Sequence, residues 1–198
     1  MNPTEISPDE ALERLKAGNE RFVTGNVRKK YFPKDIEATK HFQDPHTVVL
    51  TCSDSRVTPE IIFDKTIGEL FVIRVAGNVI NPSILGSIEY AVKYLKASYV
   101  LILGHTSCGA VGAALVKDDY SPNIRSIIDK IKPAYHKVQG MNLPKEKIYD
   151  KLVEMNVYEQ VKIALSASEI LQQHVFSGKV KIGGAVYDIS KGTVEFLD

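Results

Sequence analysis

Two short stretches of this sequence contain the residue types from which metal sites are built. The first holds Cys52, Asp54 and Arg56 at alternate positions, so their side chains share one face of an extended segment. The second holds His105 and Cys108, and the two stretches together contain both cysteines of the chain. Two thiolates and an imidazole suit Zn²⁺ far better than Mg²⁺ or Ca²⁺. The residue types and their spacing therefore predict a zinc site with a carboxylate and a guanidinium beside it.

The fourth position on this zinc ion separates a structural site from a catalytic one. Structural zinc sites are usually closed by four Cys or His ligands, and this chain has no third cysteine. The fourth place therefore falls to Asp54 or to water, and a zinc-bound water can have a pKa near ~7. Arg56 within reach of Asp54 would keep the carboxylate ionised and fix its direction. This composition indicates a catalytic site.

Two simpler interpretations of the cysteines compete with the metal site. Cys52 and Cys108 could be ordinary buried residues, or they could form a disulfide. The nearby acid, base and His105 favour the metal. The other histidines have no ligand-spaced partner and are predicted to lie on the surface: His41, His46, His136 and His174. The basic run at residues 28–30 is predicted to be a solvated turn.

The elements that must position these side chains are strands. Each stretch follows an apolar, β-branched run, residues 47–50 and 99–103, which is typical of a buried strand. If the two strands are parallel neighbours, both stretches leave the sheet at its carboxyl edge, where open α/β sheets bind ligands. Further strands are predicted at 70–75 and 179–187, and a turn at 190–192 leads into a final segment, 193–197. The alternation with helices predicts an α/β fold with a mostly parallel central β-sheet and flanking helices.

Helical regions are predicted at both sides of this core. Residues 1–46 form an N-terminal helical arm that begins with the capping box Ser7-Pro8-Asp9-Glu10. Its apolar stripe is narrow, so the arm is expected to find cover elsewhere, such as on a second subunit. Residues 121–177 form a C-terminal helical region, with breaks near Pro133 and between residues 140 and 144, followed by an edge strand. Residues 1–198 are predicted to be one domain, with 47–198 as its α/β core.

Composition excludes several classes of function. The chain has 198 residues and a formal net charge of +1, which gives no reason to expect nucleic acid or a membrane surface as partner. No apolar run approaches the ~20 residues of a membrane span. The first thirty residues are rich in charge and contain no apolar signal core, which predicts a cytoplasmic protein. Removal of a leader would leave the same sequence.

The pair Cys-Ser-Asp-Ser-Arg and His-x-x-Cys-Gly closely resembles the β-class carbonic anhydrases, with the pattern of their plant-like branch. The likeness is strong over residues 40–115 and extends through Gly-Gly-Ala-Val-Tyr-Asp near the carboxyl terminus. It implies one zinc ion per subunit held by Cys52, His105 and Cys108, and reversible hydration of carbon dioxide by attack of zinc-bound hydroxide. Asp54 either accepts a hydrogen bond from the zinc-bound water or, in a closed state, becomes the fourth ligand. Arg56 is the dyad partner that draws Asp54 off the metal.

The resemblance also assigns a substrate pocket. It implies that Gln43 donates a hydrogen bond to the substrate and that Phe71 and Tyr90 form aromatic walls of the pocket. Ala76 would be a further wall position, and the backbone of Gly109 would lie at the reacting centre. A helix stripe formed by Ile84, Ile88, Ala91 and Leu95 leaves Tyr90 on the opposite side, where the alternative is an exposed tyrosine. In the family the pocket is completed across a dimer interface that the arm embraces. A homodimer, or a tetramer built from it, is therefore implied.

Two departures from the family pattern concern substrate preference and regulation. Val75 and Gly77 stand where the plant-like pattern often has Asn and Ala, and Ala76 is often larger. The chain has no tryptophan, so a Trp-based regulatory bicarbonate site is absent in that form. Two alternative functions remain: hydrolysis of carbonyl sulfide or carbon disulfide on the same scaffold, and a non-catalytic zinc-binding protein in which Asp54 closes the site permanently.

Overall fold

A five-stranded β-sheet lies at the centre of the computed structural model, which describes residues 5–197. Its strands are β1 (Thr47–Thr51), β2 (Leu70–Arg74), β3 (Tyr99–His105), β4 (Lys181–Tyr187) and β5 (Val194–Leu197). They lie in the order β2-β1-β3-β4-β5; the first four are parallel and β5 is antiparallel to β4. The predicted α/β fold with a mostly parallel central sheet is confirmed.

Helices cover this sheet on both faces. Within residues 5–197 they are α1 (Pro8–Val23), α2 (Phe32–Thr39), α3 (Pro59–Ile62), α4 (Pro82–Tyr94), α5 (Gly109–Ala113), α6 (Pro122–Gln139), α7 (Lys145–Ala167) and α8 (Glu169–Phe176). A 3₁₀ turn, Ala76–Asn78, follows β2. None of the helices in this part of the chain is both long and apolar enough to cross a membrane.

The two central strands bring the predicted site segments together. Every residue of β1 and β3 is buried, as expected for parallel strands covered by helices on both faces. Their register pairs Thr51 with Leu103, so the carboxyl ends of both strands lie at the same edge of the sheet. Cys52 directly follows β1, and His105 is the last residue of β3. The predicted convergence of the two segments follows from this pairing.

Helix α7 lies unusually close to the sheet because glycines face it. A Cβ atom at Gly104 of β3 would lie 2.6 Å from Val157 Cγ2, and one at Gly184 of β4 would lie 2.5 Å from Val157 Cγ1. Both distances are far below ordinary van der Waals contact. Because α7 lies this close to the sheet, side chains next to Val157 on α7 can reach the carboxyl edge of the sheet.

Helix α6 contradicts one prediction. It runs through Pro133 without ending, although proline cannot donate the usual backbone hydrogen bond. One face of the helix is buried in the core: Ile128, Ile131, Ala134 and Val138. Burial of this face compensates for the lost hydrogen bond, so the predicted break near Pro133 is wrong. The predicted break between residues 140 and 144 is confirmed, because α7 begins at Lys145.

Helix α1 packs against its own chain. Ser7 caps it by accepting a hydrogen bond from Glu10 N at 3.1 Å, as the capping box predicted. Ala11 and Leu15 are buried in the core, and Asn19 Nδ2 donates to Ile62 O at 3.2 Å. Helix α1 thus finds its cover on the core of its own chain. Packing of the arm on a partner stays a prediction, for which exposed apolar side chains between residues 31 and 42 are the candidates.

The basic run at residues 28–30 is exposed at Arg28 and Lys29, as predicted, but Arg28 and Lys30 also bind a buried carboxylate. Arg28 N donates to Asp64 Oδ2 at 3.1 Å, and Lys30 Nζ lies 3.6 Å from Asp64 Oδ1. Arg21 Nε donates to Asp64 Oδ2 at 2.6 Å, and the Asp64 side chain is fully buried. Burial alone would raise the pKa of Asp64, but the hydrogen bonds from Arg21 and Arg28 lower it below its ordinary value. This buried carboxylate anchors the arm to the core.

Candidate metal centre

Three potential ligand atoms come together at the carboxyl edge of the sheet. The ligand atoms of Cys52, His105 and Cys108 all lie within 4.8 Å of one another, and all three residues are buried. The two Sγ atoms are 4.0 Å apart, and both thiols are free rather than joined in a disulfide. Two strand ends and the residue that precedes α5 supply these atoms, so the core of the fold holds them in place.

The histidine ring is oriented for a metal ion. His105 Nδ1 lies 2.8 Å from Thr106 O, and a carbonyl oxygen only accepts, so Nδ1 carries the proton. The neutral ring then has a lone pair on Nε2. That atom is buried and has no hydrogen-bond partner within the described residues, a costly arrangement for a polar atom unless it has a ligand. A backbone partner on one ring nitrogen is how proteins orient metal-binding histidines.

The environment of the two sulfurs favours a thiolate at Cys52. The hydrogen bond with Cys108 is the main cause that lowers the pKa of Cys52, and a hydrogen bond from Gly77 N at 3.3 Å adds to it. Without a cation the two thiols share a proton, so the hydrogen bond to Cys52 raises the pKa of Cys108. Backbone N–H groups of Ala110 and Val111, at the start of α5, act in the opposite direction on Cys108.

The donor set fits a zinc ion. Two sulfurs and one imidazole nitrogen are the soft and intermediate donors that Zn²⁺ prefers in tetrahedral sites. A cation bound by the three residues would give His105 Nε2 a partner and would explain the close approach of the two sulfurs. A bound cation would also remove the competition for one proton, since both sulfurs could then be thiolates.

Asp54 and Arg56 form a two-pronged ion pair beside the cluster. Arg56 Nε donates to Asp54 Oδ1 at 2.9 Å, and Arg56 Nη2 donates to Asp54 Oδ2 at 2.7 Å. The Arg56 backbone N also donates to Asp54 Oδ1 at 3.0 Å. Hydrogen bonds from Arg56 are the main cause that holds the pKa of Asp54 well below its usual range. Asp54 Oδ2 lies 4.0 Å from His105 Nε2, so the ionised carboxylate lies at the edge of the candidate metal centre.

The residues predicted to form the substrate pocket are more dispersed. Ala76 lies in the 3₁₀ turn next to Gly77, and Gly109 is the exposed first residue of α5. Gln43 is exposed in the segment before β1. Phe71 and Tyr90 have ring centroids 6.4 Å apart, but Phe71 pairs with Val48, three positions before the strand end that carries the site.

Several supporting residues were not predicted from the sequence. Tyr149 OH donates to Cys108 O at 2.7 Å, and burial is the main cause that raises the pKa of Tyr149 to about 12. Asn156 Nδ2 donates to Gly77 O at 3.0 Å. Arg74 Nη2 donates to Asp54 O at 2.7 Å. One signal could have found part of this set: Asn156 and Gln160 are polar residues four apart within the buried, apolar stripe of a helix.

Comparisons of the sequence and of the fold with known proteins agree on one family. The carbonic anhydrase family model matches residues 47–194. Carbonic anhydrase 2 of Mycobacterium tuberculosis is 36% identical over 97% of this chain and 94% of its own length. A carbonic anhydrase of Mycolicibacterium smegmatis is 37% identical over 96% of this chain and 93% of its own length. The β-carbonic anhydrase CafA of Aspergillus fumigatus has a similar structure, with a TM-score of 0.76 at 26% identity over 96% of this chain and 90% of its own. The chain therefore belongs to the β-carbonic anhydrase family and is an enzyme of that family.

Proposed function

We propose that Cys52, His105 and Cys108 hold one zinc ion in each subunit, and that the enzyme reversibly hydrates carbon dioxide to bicarbonate and a proton. When bound, zinc supplies a Lewis acid that makes water nucleophilic near neutral pH. The observation that carries this proposal is the buried, unpartnered Nε2 of His105, which lies within 4.8 Å of two thiol sulfurs. Family membership supports the same reaction.

Asp54 acts on the nucleophilic water in this proposal. Its carboxylate is ionised at neutral pH, and Oδ2 lies 4.0 Å from His105 Nε2, close enough to accept a hydrogen bond from a water molecule in the centre. Arg56 holds both carboxylate oxygens, and Arg56 Nη2 also lies 3.3 Å from Ser107 O. Arg56 thereby keeps Asp54 from occupying the place of the water. Pairing of Asp54 with Arg56 favours this open arrangement over a permanently closed, non-catalytic site.

The substrate pocket in this proposal is completed by a second subunit. Phe71 and Tyr90 lie on the edge strand β2 and on α4, away from the strand end where the metal ligands of the same chain meet. Tyr90 is 49% exposed, and Tyr94 packs beside it with a ring-centroid distance of 5.4 Å. An exposed aromatic face of this kind is suited to the metal centre of a partner. Self-association as a homodimer, or a tetramer built from it, and a cytoplasmic location complete the proposal.

The test combines zinc content with stopped-flow carbon dioxide hydration for the wild type, Cys108→Ser, Asp54→Asn and Asp129→Asn. We expect one zinc per wild-type subunit and loss of both zinc and activity in Cys108→Ser. Asp54→Asn should retain zinc and lose about 10²–10⁴-fold in kcat/KM, because it removes a proton acceptor. Asp129→Asn is the matched control, since it removes a carboxylate whose ion pair with Lys132 is exposed to solvent. Full activity in Cys108→Ser or Asp54→Asn would contradict the proposal.

The same preparations separate the alternative functions. Turnover of carbonyl sulfide measured beside that of carbon dioxide tests the hydrolase alternative, which predicts the higher kcat/KM for the sulfur compound. A non-catalytic zinc protein would bind zinc and remain silent with both substrates at every pH. Carbon dioxide hydration that exceeds carbonyl sulfide hydrolysis is the result that the proposed function requires.

A further inference from the structure

A buried pair of amides on α7 connects the helix to the turn behind the metal centre. Asn156 is 1% exposed and Gln160 is fully buried. Asn156 Nδ2 donates to Gly77 O at 3.0 Å, and Gln160 Oε1 accepts from Ile80 N at 2.7 Å. The two amides are joined to each other, since Gln160 Nε2 donates to Asn156 Oδ1 at 3.2 Å. Each amide oxygen and nitrogen of this pair therefore has a partner.

The orientation of Asn156 follows from this network. Ile80 N can only donate, so the oxygen of Gln160 must face it and the nitrogen must face Asn156. Asn156 then presents its own oxygen to Gln160 and its nitrogen to Gly77 O. The Ile80 N–H thus fixes the orientation of the Gln160 amide, and Gln160 in turn fixes the orientation of the Asn156 amide.

The turn that these amides hold contacts Cys52 directly and also approaches α5, the helix that follows Cys108. Gly77 N donates to Cys52 Sγ at 3.3 Å. On its other side, a Cβ atom at Gly77 would lie 3.2 Å from Ala110 Cβ, two residues after Cys108. Gly77 has a φ of +70°, which favours glycine, so the turn has a backbone conformation that needs support. The hydrogen bond to Gly77 O provides that support on the carbonyl side.

We propose that Asn156 and Gln160 are positioning residues for the metal centre: they hold Gly77 so that its N–H donates to the Cys52 sulfur. This inference rests on the proposed zinc site. Outer partners that orient a metal ligand commonly account for about 10–100-fold in metal affinity. A leucine would fill the same volume without the desolvation cost of a buried amide, so packing alone does not require Asn156.

Asn156→Asp tests the inference with nearly unchanged volume. The aspartate has no amide nitrogen, so where it is ionised it places a carboxylate oxygen against Gly77 O and the turn must shift. Because burial raises the pKa of such an acid, the measurements are made above neutral pH as well as at pH 7. The matched control is Asn19→Asp, because Asn19 is also buried and also holds backbone groups, Ile62 O, Gly192 O and Val194 N, on the arm side of the sheet. Both variants should unfold at lower temperature than the wild type.

Metal binding distinguishes the two variants. Zinc affinity is measured by competition with a chromophoric chelator, and the thiolate-to-cobalt charge-transfer band is recorded after Co²⁺ loading. We expect Asn156→Asp to bind zinc about 10–100-fold more weakly and to shift that band, because a hydrogen bond to the sulfur has changed. Asn19→Asp should match the wild type in both measurements.

A second variant covers the case in which Asn156→Asp does not fold. Gln160→Glu keeps the oxygen that accepts from Ile80 N and loses the nitrogen that donates to Asn156 Oδ1 and to Lys130 O. It should shift the cobalt band in the same direction by less. Zinc affinity within twofold of the wild type together with an unchanged band in a folded variant would overturn the inference, as would equal weakening in Asn19→Asp. Failure of the wild type itself to bind zinc would instead refute the proposed metal centre.

Discussion

The contact between α7 and the sheet can be tested by adding one methyl group at Gly104. In Gly104→Ala the new Cβ would lie 2.6 Å from Val157 Cγ2, about 1 Å closer than ordinary carbon contacts. Val157 is fully buried, and its χ1 angle is restricted because it is β-branched and helical. The Val157 side chain cannot easily rotate away from the added methyl group, so α7 must move away from β3.

The expected loss of stability combines two opposing effects. Overpacking a core position costs about 1–3 kcal/mol. Replacing a glycine inside a strand by alanine recovers about 0.5–1 kcal/mol of backbone entropy. The difference between these ranges is a net loss of about 0–2.5 kcal/mol in the free energy of unfolding, centred near 1 kcal/mol. For a chain of this length, a loss of about 1 kcal/mol corresponds to a decrease in Tm of about 2–4 °C.

A double-mutant cycle with Val157→Ala isolates the contact, with urea denaturation and thermal melts as the assays. Once Val157 is truncated, Gly104→Ala should cost nothing or should stabilise, because the clashing methyl groups are gone. Gly140→Ala is the control, since its new Cβ would meet only Lys137 O at 3.5 Å, an ordinary contact, and the glycine is exposed at the end of α6. It should raise stability by up to about 1 kcal/mol. If Gly104→Ala stabilises the wild type and the Val157→Ala background equally, the close contact between α7 and the sheet at Gly104 is wrong.

Two further predictions concern the arm and the assembly. Asp64→Asn should lower the free energy of unfolding at pH 7 by about 2 kcal/mol, because partly exposed Arg21 and Arg28 lose a buried anion. The pKa of Asp64 is lowered in the folded protein, so its stabilisation is present above its ordinary pKa of 3.8 and is lost as the pH falls below it. The stability gap between wild type and variant in urea denaturation should therefore narrow below about pH 4, and a constant gap down to pH 3 would refute this assignment. The exposed pair Tyr90 and Tyr94 should lie in a subunit interface, so light scattering should give at least twice the 22.0 kDa chain mass, and Tyr90→Asp should lower it. A wild-type monomer would contradict the shared pocket.

The sequence alone was sufficient for the three side chains that meet at the candidate metal centre and for the class of fold. Cys52, His105 and Cys108 were identifiable because metal ligation needs particular side chains, and their strands because buried parallel strands are continuous apolar runs. Local rules failed where tertiary packing decided the outcome. Pro133 was expected to break a helix, and the buried face of α6 keeps that helix intact. The basic run at residues 28–30 was expected to be only a solvated turn; Arg28 and Lys29 are exposed, but a buried Asp64 from a distant segment also binds Arg28 and Lys30.

The supporting residues of the site could be located only in the tertiary structure. Asn156 and Gly77 lie 79 positions apart in the chain, and nothing in the spacing of either residue indicates a shared hydrogen bond. Their contact exists because glycines in β3 and β4 let α7 approach the sheet. Ligand identity is a property of side-chain chemistry, which a sequence states directly. Ligand orientation depends on the distances between segments that only the packed core determines.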